Sequence, residues 1–285
     1  MRVLIYPYIP DLNKDGLKSL RNYIKKRAEE MNSDITVQVD GDPNLFDLYK
    51  LDNLRTYLGS GARAYDVVEV DTILLGELVT SNLIQPDPNP VVPVNDISFL
   101  RSAVDAVRYN GHQYGIPTLI NDVIASKRSS FLAYAEVIGQ ALFTDAGLVI
   151  QSVRAPPFGG AGHLQMYTDA LVANRNTYEA KKDAIKKFIT FYTSINFRFE
   201  YAYCGDMDFK CIRYVLPAIS GFYSLEKVEQ NCLYSQLRDV FMTSDGGGDY
   251  TEEFATYRID TGVPGHDNQP VFLRKHLASL RVLAL

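Results

Sequence analysis

Apolar positions near the start of the chain come first in short runs and then at helical spacing. Val3-Leu4-Ile5-Tyr6 is a β-leaning run closed by Pro7 and Pro10, and Leu17, Leu20, Ile24, Ala28 and Met31 then fall on one face of a predicted helix. Ile35-Thr36-Val37-Gln38-Val39 alternates as a strand, and after a polar turn at 40–44 a helical stretch carries Phe46, Tyr49, Leu54 and Tyr57. Val67-Val68-Glu69-Val70 is the third strand candidate, and it runs through Asp71 into an apolar helix from Ile73 to Val79. Asp71 therefore stands where a strand gives way to a helix. Repeated strand–helix alternation predicts an α/β fold with mostly parallel open sheets flanked by helices, in which ligands collect beyond the carboxyl ends of the strands.

The pattern changes at 85–93, where four prolines in nine residues exclude a regular element. Ile97, Leu100, Val104 and Val107 mark a helix, and Gln113-Tyr114-Gly115-Ile116-Pro117 reads as an extended piece leading to Val123-Ile124-Ala125, with Asn121 and Asp122 between them. The spacing predicts helices over 131–143, 164–173, 178–192, 216–223 and 225–241, and a strand at Leu148-Val149-Ile150. Two glycine loops stand out, Phe158-Gly159-Gly160-Ala161-Gly162 and Asp245-Gly246-Gly247-Gly248-Asp249.

Composition narrows the classes of partner. The 285 residues include 29 Lys and Arg against 34 Asp and Glu, and the net charge of −5 gives no general attraction to nucleic acid or acidic membranes. No apolar run reaches the roughly 20 residues a bilayer requires, and the opening MRVLIYPYIP lacks a signal-peptide core. Tyrosine is abundant, 19 residues with no Trp, and its flat apolar face with a polar tip suits a ligand cleft as well as a core edge. The three cysteines lack CxxC spacing; Cys204 and Cys211 are either joined within one loop or held as buried thiols.

Most candidate chemistries fail on spacing. No GxSxG marks a nucleophile elbow, and no two of His112, His163, His266 and His276 share the i, i+4 spacing of a helical metal pair, so neither a metal nor a cofactor is expected. The FGGAG loop lacks the Lys-Ser/Thr of a phosphate loop, and the Asp245–Asp249 loop lacks the acidic positions of a calcium loop. Tyr6 and Tyr8 after the first strand and Asp71 after the third would line one sheet edge. Two aromatic faces and a carboxylate suit a flat, amino-bearing or cationic ring. The competing reading packs the tyrosines into the sheet edge and makes Asp71 a helix cap.

Five blocks carry a family resemblance: LIYPYIPD, YDVVEVDTILLGELVTSNLIQP, NGHQYGIP, GGAGHLQMYTDAL and RYVLPAISGFYSLEKV. In this order they resemble bacterial thiaminase I, thiamine pyridinylase. The resemblance implies a two-lobed fold of the type 2 periplasmic-binding-protein kind, lobe 1 from 1–117 with about 210–285 and lobe 2 from about 118–209. It also implies a secreted protein and a ligand held between the lobes. Members of that family attack thiamine with a cysteine activated by a glutamate. The cysteine lies four residues beyond the proline of the YGIP-like segment, and that place here is Asn121. The GYSES-like segment with the glutamate has no counterpart between Tyr178 and Ala218.

A nucleophile and its base act as a unit, so their loss removes covalent displacement while leaving binding intact. The expectation is a non-catalytic binding protein holding a planar, thiamine-like ligand against Tyr6, Tyr8, Asp71 and Asn121. Two alternatives stand beside it. One is a pyrimidine transferase using Cys204 or Cys211 as a relocated nucleophile, and the other is a structural or storage protein whose cleft has closed.

Overall fold

A computed structural model describes residues 1–5, 14–41, 48, 50–86, 98–126, 132–134, 153–154 and 166–243. Strand β1 (Arg2–Ile5) lies between β2 (Gln38–Gly41) and β3 (Val67–Asp71), all three parallel. Beyond β3 the sheet turns antiparallel, through β9 (Met166–Ala173) to the 12-residue β6 (Gly115–Ser126), giving a mixed, open sheet. The outer half of β6 pairs with β7 (Leu132–Tyr134) and β8 (Val153–Arg154). A separate small hairpin joins β4 (Arg108–Tyr109) to β5 (His112–Gln113), with Gly111 at φ 75 in its turn, where a side chain would be strained.

Alternation along the strands divides the core between the two sheet faces. Val3, Ile5 and Val67 face one way, under α1 (Lys14–Met31), α5 (Tyr178–Tyr192) and α6 (Ile195–Ala202). Leu4, Val68 and Val70 face the other, under α2 (Leu51–Tyr57) and α3 (Leu75–Thr80). Helix α1 buries Leu20, Ile24 and Ala28 as its spacing predicts, but Met31, rotated about 60° from Ala28, is exposed. Helix α4 (Arg101–Ala106) seats Val104 in the first core, and Val107 follows it there. Ala170, Leu171 and Ala173 of β9 and the buried residues of α5 and α6 pack in the same core as Val3, Ile5 and Val39.

Four segments differ from their sequence expectation. The 166–173 segment, expected as helix, is the central strand β9; its 170–173 half, buried on both faces, shows no polar alternation and reads as Ala-Leu-Val-Ala. Residues 216–219, also expected as helix, are extended along β6. Ile120 N donates to Leu216 O at 2.8 Å, Ala218 N to Thr118 O at 3.0 Å and Leu100 N to Ala218 O at 2.8 Å, pairings that displace a helix already interrupted by Pro217. Within the expected 131–143 helix, residues 132–134 form β7. The 225–241 helix is split into α7 (Glu226–Glu229) and α8 (Cys232–Thr243) because Asn231 Oδ1 accepts from Leu233 N and Tyr234 N at 3.0 and 3.2 Å, capping a new start. Among the described residues no helix is long and apolar enough to cross a membrane.

Candidate functional site

Strands β1 and β2 end level at Ile5 and Gly41, β3 runs two residues farther to Asp71, and β6 and β9 continue past them. Asp71 is the last residue of β3 paired with β9, standing opposite Asp169. On its far side Asp169 is opposite Leu119 of β6, and two residues farther out Tyr167 is opposite Asn121. By the two-residue pleat, the positions of Asp71, Asp169, Tyr167 and Asn121 share one face of the sheet. Asp71 and Asn121 lie two strands apart and two residues out of level, about 12 Å between Cα atoms. Both border the space beyond the strand ends.

Asp71 is also a cap. Its Oδ1 accepts from Ile73 N at 2.9 Å, opening the 3₁₀ turn Thr72–Leu74 that leads into α3. The carboxylate is thereby fixed in direction, buried but for its rim, at the junction where the sequence predicted it. Tyr6 and Tyr8 lie outside the described residues, as do both glycine loops, His163, His266, His276 and the 148–150 segment. Sequence reasoning missed Asp169, because 166–173 was read as helix. Its signal was Tyr167-Thr168, a β-favouring pair ahead of an apolar run.

A buried polar cluster lies on the same face of β3, one pleat back from Asp71. Glu69 is fully buried between Val68 and Val70, and the Tyr192 hydroxyl donates to its Oε2 at 3.1 Å. Arg198, also fully buried, places its guanidinium 4.1 Å from the Tyr192 ring centroid and 5.6 Å from that of Tyr201. Burial, and then the Glu69 carboxylate, push the Tyr192 and Tyr201 phenols well up, so both remain neutral at any physiological pH. The signal in the sequence was Glu69, a charge in the middle of an apolar strand. This cluster ties α5 and α6 to the strand that ends in Asp71.

The cysteines proposed as a relocated nucleophile are joined to one another. Cys204 and Cys211 form a disulfide with Cα atoms 5.5 Å apart, so neither supplies a thiolate, and Cys232 is an exposed thiol. Of the two readings the sequence left open, the bridged loop is the one the structure has. Among the described residues no group of three His, Cys, Asp or Glu could hold a metal ion.

Known structures share this architecture. Clostridium botulinum thiaminase I in complex with thiamin is 11% identical, covering 92% of this chain and 99% of that one, with a TM-score of 0.63. A eukaryotic thiaminase-I bound to the thiamin analogue 3-deazathiamin is 13% identical, covering 91% and 99%, with a TM-score of 0.58. The GacH receptor of Streptomyces glaucescens, solved unliganded and with acarbose, is 11% identical, covering 94% and 95%, with a TM-score of 0.61. No protein-family model and no curated protein sequence matches the chain. At such identities the likeness is one of fold, and that fold is the two-lobed, periplasmic-binding-protein-like α/β architecture.

Proposed function

We propose that this chain is a non-catalytic, thiaminase-like binding protein that holds a flat, thiamine-like organic ligand between its lobes, at a site formed by Tyr6, Tyr8, Asp71 and Asn121 with Asp169 added. The observation that carries the reading is the strand register: Asp71 at the end of β3 and Asn121 on the projecting part of β6 share one face beyond the parallel strand ends. In open α/β folds that is where ligands bind. The roughly 12 Å between the two positions matches a two-ring ligand, with a carboxylate for an amino group and an amide that both donates and accepts. The second lobe begins where β6 passes Ile120 toward β7 and β8, which makes β6 and β9 the hinge. A secreted location accords with the disulfide, since such bonds persist in oxidising compartments.

An asparagine at the nucleophile position and a disulfide between the two candidate cysteines leave neither place with a thiolate for covalent displacement. Calorimetry against thiamine, its pyrimidine fragment and a panel of planar amines tests binding, and incubation of thiamine with aniline tests turnover. Saturable 1:1 binding that weakens on Asp71→Asn, with no aniline adduct above buffer, is the expected result. Sustained adduct formation overturns the non-catalytic reading, and absence of binding across the panel leaves the closed-cleft alternative.

A further inference from the structure

The segment that follows α6 holds an arrangement that the ligand site does not explain. Four of the six non-glycine residues with left-handed backbone among the described residues fall within eleven positions: Cys204 at φ 51, Asp208 at 55, Phe209 at 58 and Tyr214 at 54. That conformation is disfavoured for any residue with a side chain, and it persists only where its surroundings impose it. Three things impose it here. The Cys204–Cys211 bond closes the loop. Inside that loop, Asp206 receives both terminal nitrogens of Arg213 at 2.6 and 2.8 Å, a two-pronged ion pair with both side chains buried. Arg213 Nη1 also donates to Tyr201 O at 3.2 Å, and Arg213 N donates to Ala202 O at 2.7 Å, holding the returning chain against α6.

The loop in turn carries part of the docking of α1. Ser19 Oγ approaches Asp206 O at 3.5 Å, and Gly205 lies so close to Tyr23 that an added Cβ would stand 2.7 Å from its hydroxyl oxygen. The same Tyr23 hydroxyl donates to Glu200 at 3.0 Å, and Arg27 grips Glu200 through two nitrogens at 2.9 and 2.8 Å. Loop, α6 and the middle of α1 thus form one contact set whose backbone is held in unfavourable conformations by a covalent bond.

We propose that the Cys204–Cys211 disulfide is a sheltered redox clasp, which closes once in an oxidising compartment, fixes the 204–213 loop and α1 against α6, and is not reopened by external thiols while the protein is folded. The asymmetry of the two sulfurs carries the argument. Cys204 is fully buried, whereas Cys211 is partly exposed. Closure is an exchange with a low-molecular-weight disulfide of the oxidised-glutathione class: two cysteine thiols and one external disulfide become the clasp and two external thiols. Opening in the folded state requires an external thiolate to bond to Cys211 Sγ while the electron pair of the broken bond passes to Cys204 Sγ. That sulfur would then be a thiolate in a fully buried position, a poor leaving group because burial disfavours its charged form. Native-state reduction is therefore limited by opening of the loop, and the buried Arg213–Asp206 pair opposes that opening.

Thiol counting and hydrogen exchange test this. In native buffer with dithiothreitol, maleimide trapping followed by mass measurement is expected to add one label, at Cys232, and three only after unfolding. In the Cys204→Ser/Cys211→Ser double variant, amides of 205–213 and of 19–27 are expected to lose protection roughly 30-fold or more. If that variant does not fold, wild-type protein reduced in mild urea and returned to buffer with its thiols blocked supplies the same comparison. Three labels without reductant, reduction in native buffer as fast as that of an unfolded control, or unchanged protection of both segments would each overturn the proposal.

Discussion

Replacing Tyr192 with Phe removes one oxygen from the core and leaves the ring in place. The ring stacks on Phe188 at 5.4 Å and 19°, tilts against Phe197 at 5.4 Å, and lies under the Arg198 guanidinium at 4.1 Å, contacts that a phenylalanine keeps. What is lost is the 3.1 Å hydrogen bond from the hydroxyl to the Glu69 carboxylate, in a setting where both residues are fully buried. A hydrogen bond to a buried charged group contributes about 1.5–3 kcal/mol, so the variant should be less stable by about 2 kcal/mol. The midpoint of a thermal scan should then fall by roughly 4 °C, using about 2 °C per kcal/mol for a chain of this length. Urea titration of wild type, Tyr192→Phe, Glu69→Gln and the double variant gives the cycle that isolates the pair. Once Glu69 is neutral, the hydroxyl bonds only an amide, and its removal should cost about 1 kcal/mol, leaving a coupling of about 1 kcal/mol. A Tyr192→Phe cost under about 0.5 kcal/mol, or a coupling of zero, would refute the view that this hydroxyl satisfies the buried charge.

Three further outcomes follow from other parts of the molecule. Although burial pushes the Asp66 carboxyl up, the Arg2 amide at 2.7 Å and Lys181 at 2.9 Å hold it below the ordinary 3.8. Its contribution to stability is therefore fully present above pH 3.8 and lost as the pH falls through the lower folded value, so Asp66→Asn should flatten the acid limb of stability against pH, read by circular dichroism. Asn174 is buried, its Nδ2 donating to Gly59 O at 2.9 Å and Tyr65 O at 2.8 Å. Asn174→Asp turns a carboxylate toward two carbonyls and should cost about 3 kcal/mol or more in a urea titration, whereas a loss below 1 kcal/mol would contradict the contact. In a Cys232→Ser background, Asn121→Cys should react with iodoacetamide and be shielded by saturating thiamine. A cysteine there that stays unreactive until unfolding would count against an open cleft beyond the strand ends.

The local pattern of the chain determined the elements that carry amphipathic spacing or a short β-branched run closed by a cap. Leu20, Ile24 and Ala28 mark the inner face of α1, and the apolar run from Val67 to Val70 marks β3 with Asp71 at its exit, because amphipathic spacing and cap chemistry act within a few residues. Periodicity fails where an element is buried all round or where distant chain claims its backbone. Strand β9 carries no alternation to read, and the 216–219 segment is extended only because Thr118, Ile120 and Leu100 take up its hydrogen-bonding groups. The candidate site lay half in each domain of reasoning: Asp71 and Asn121 were visible as residues, but Asp169 joined them only through strand register. Glu69 was visible as a misplaced charge, yet Tyr192, which donates to it, lies over a hundred positions away on α5. Whether Cys204 and Cys211 are bridged or free was likewise left to tertiary structure, since the left-handed turns and the buried Asp206–Arg213 pair set the distance between two cysteines that spacing alone leaves undefined.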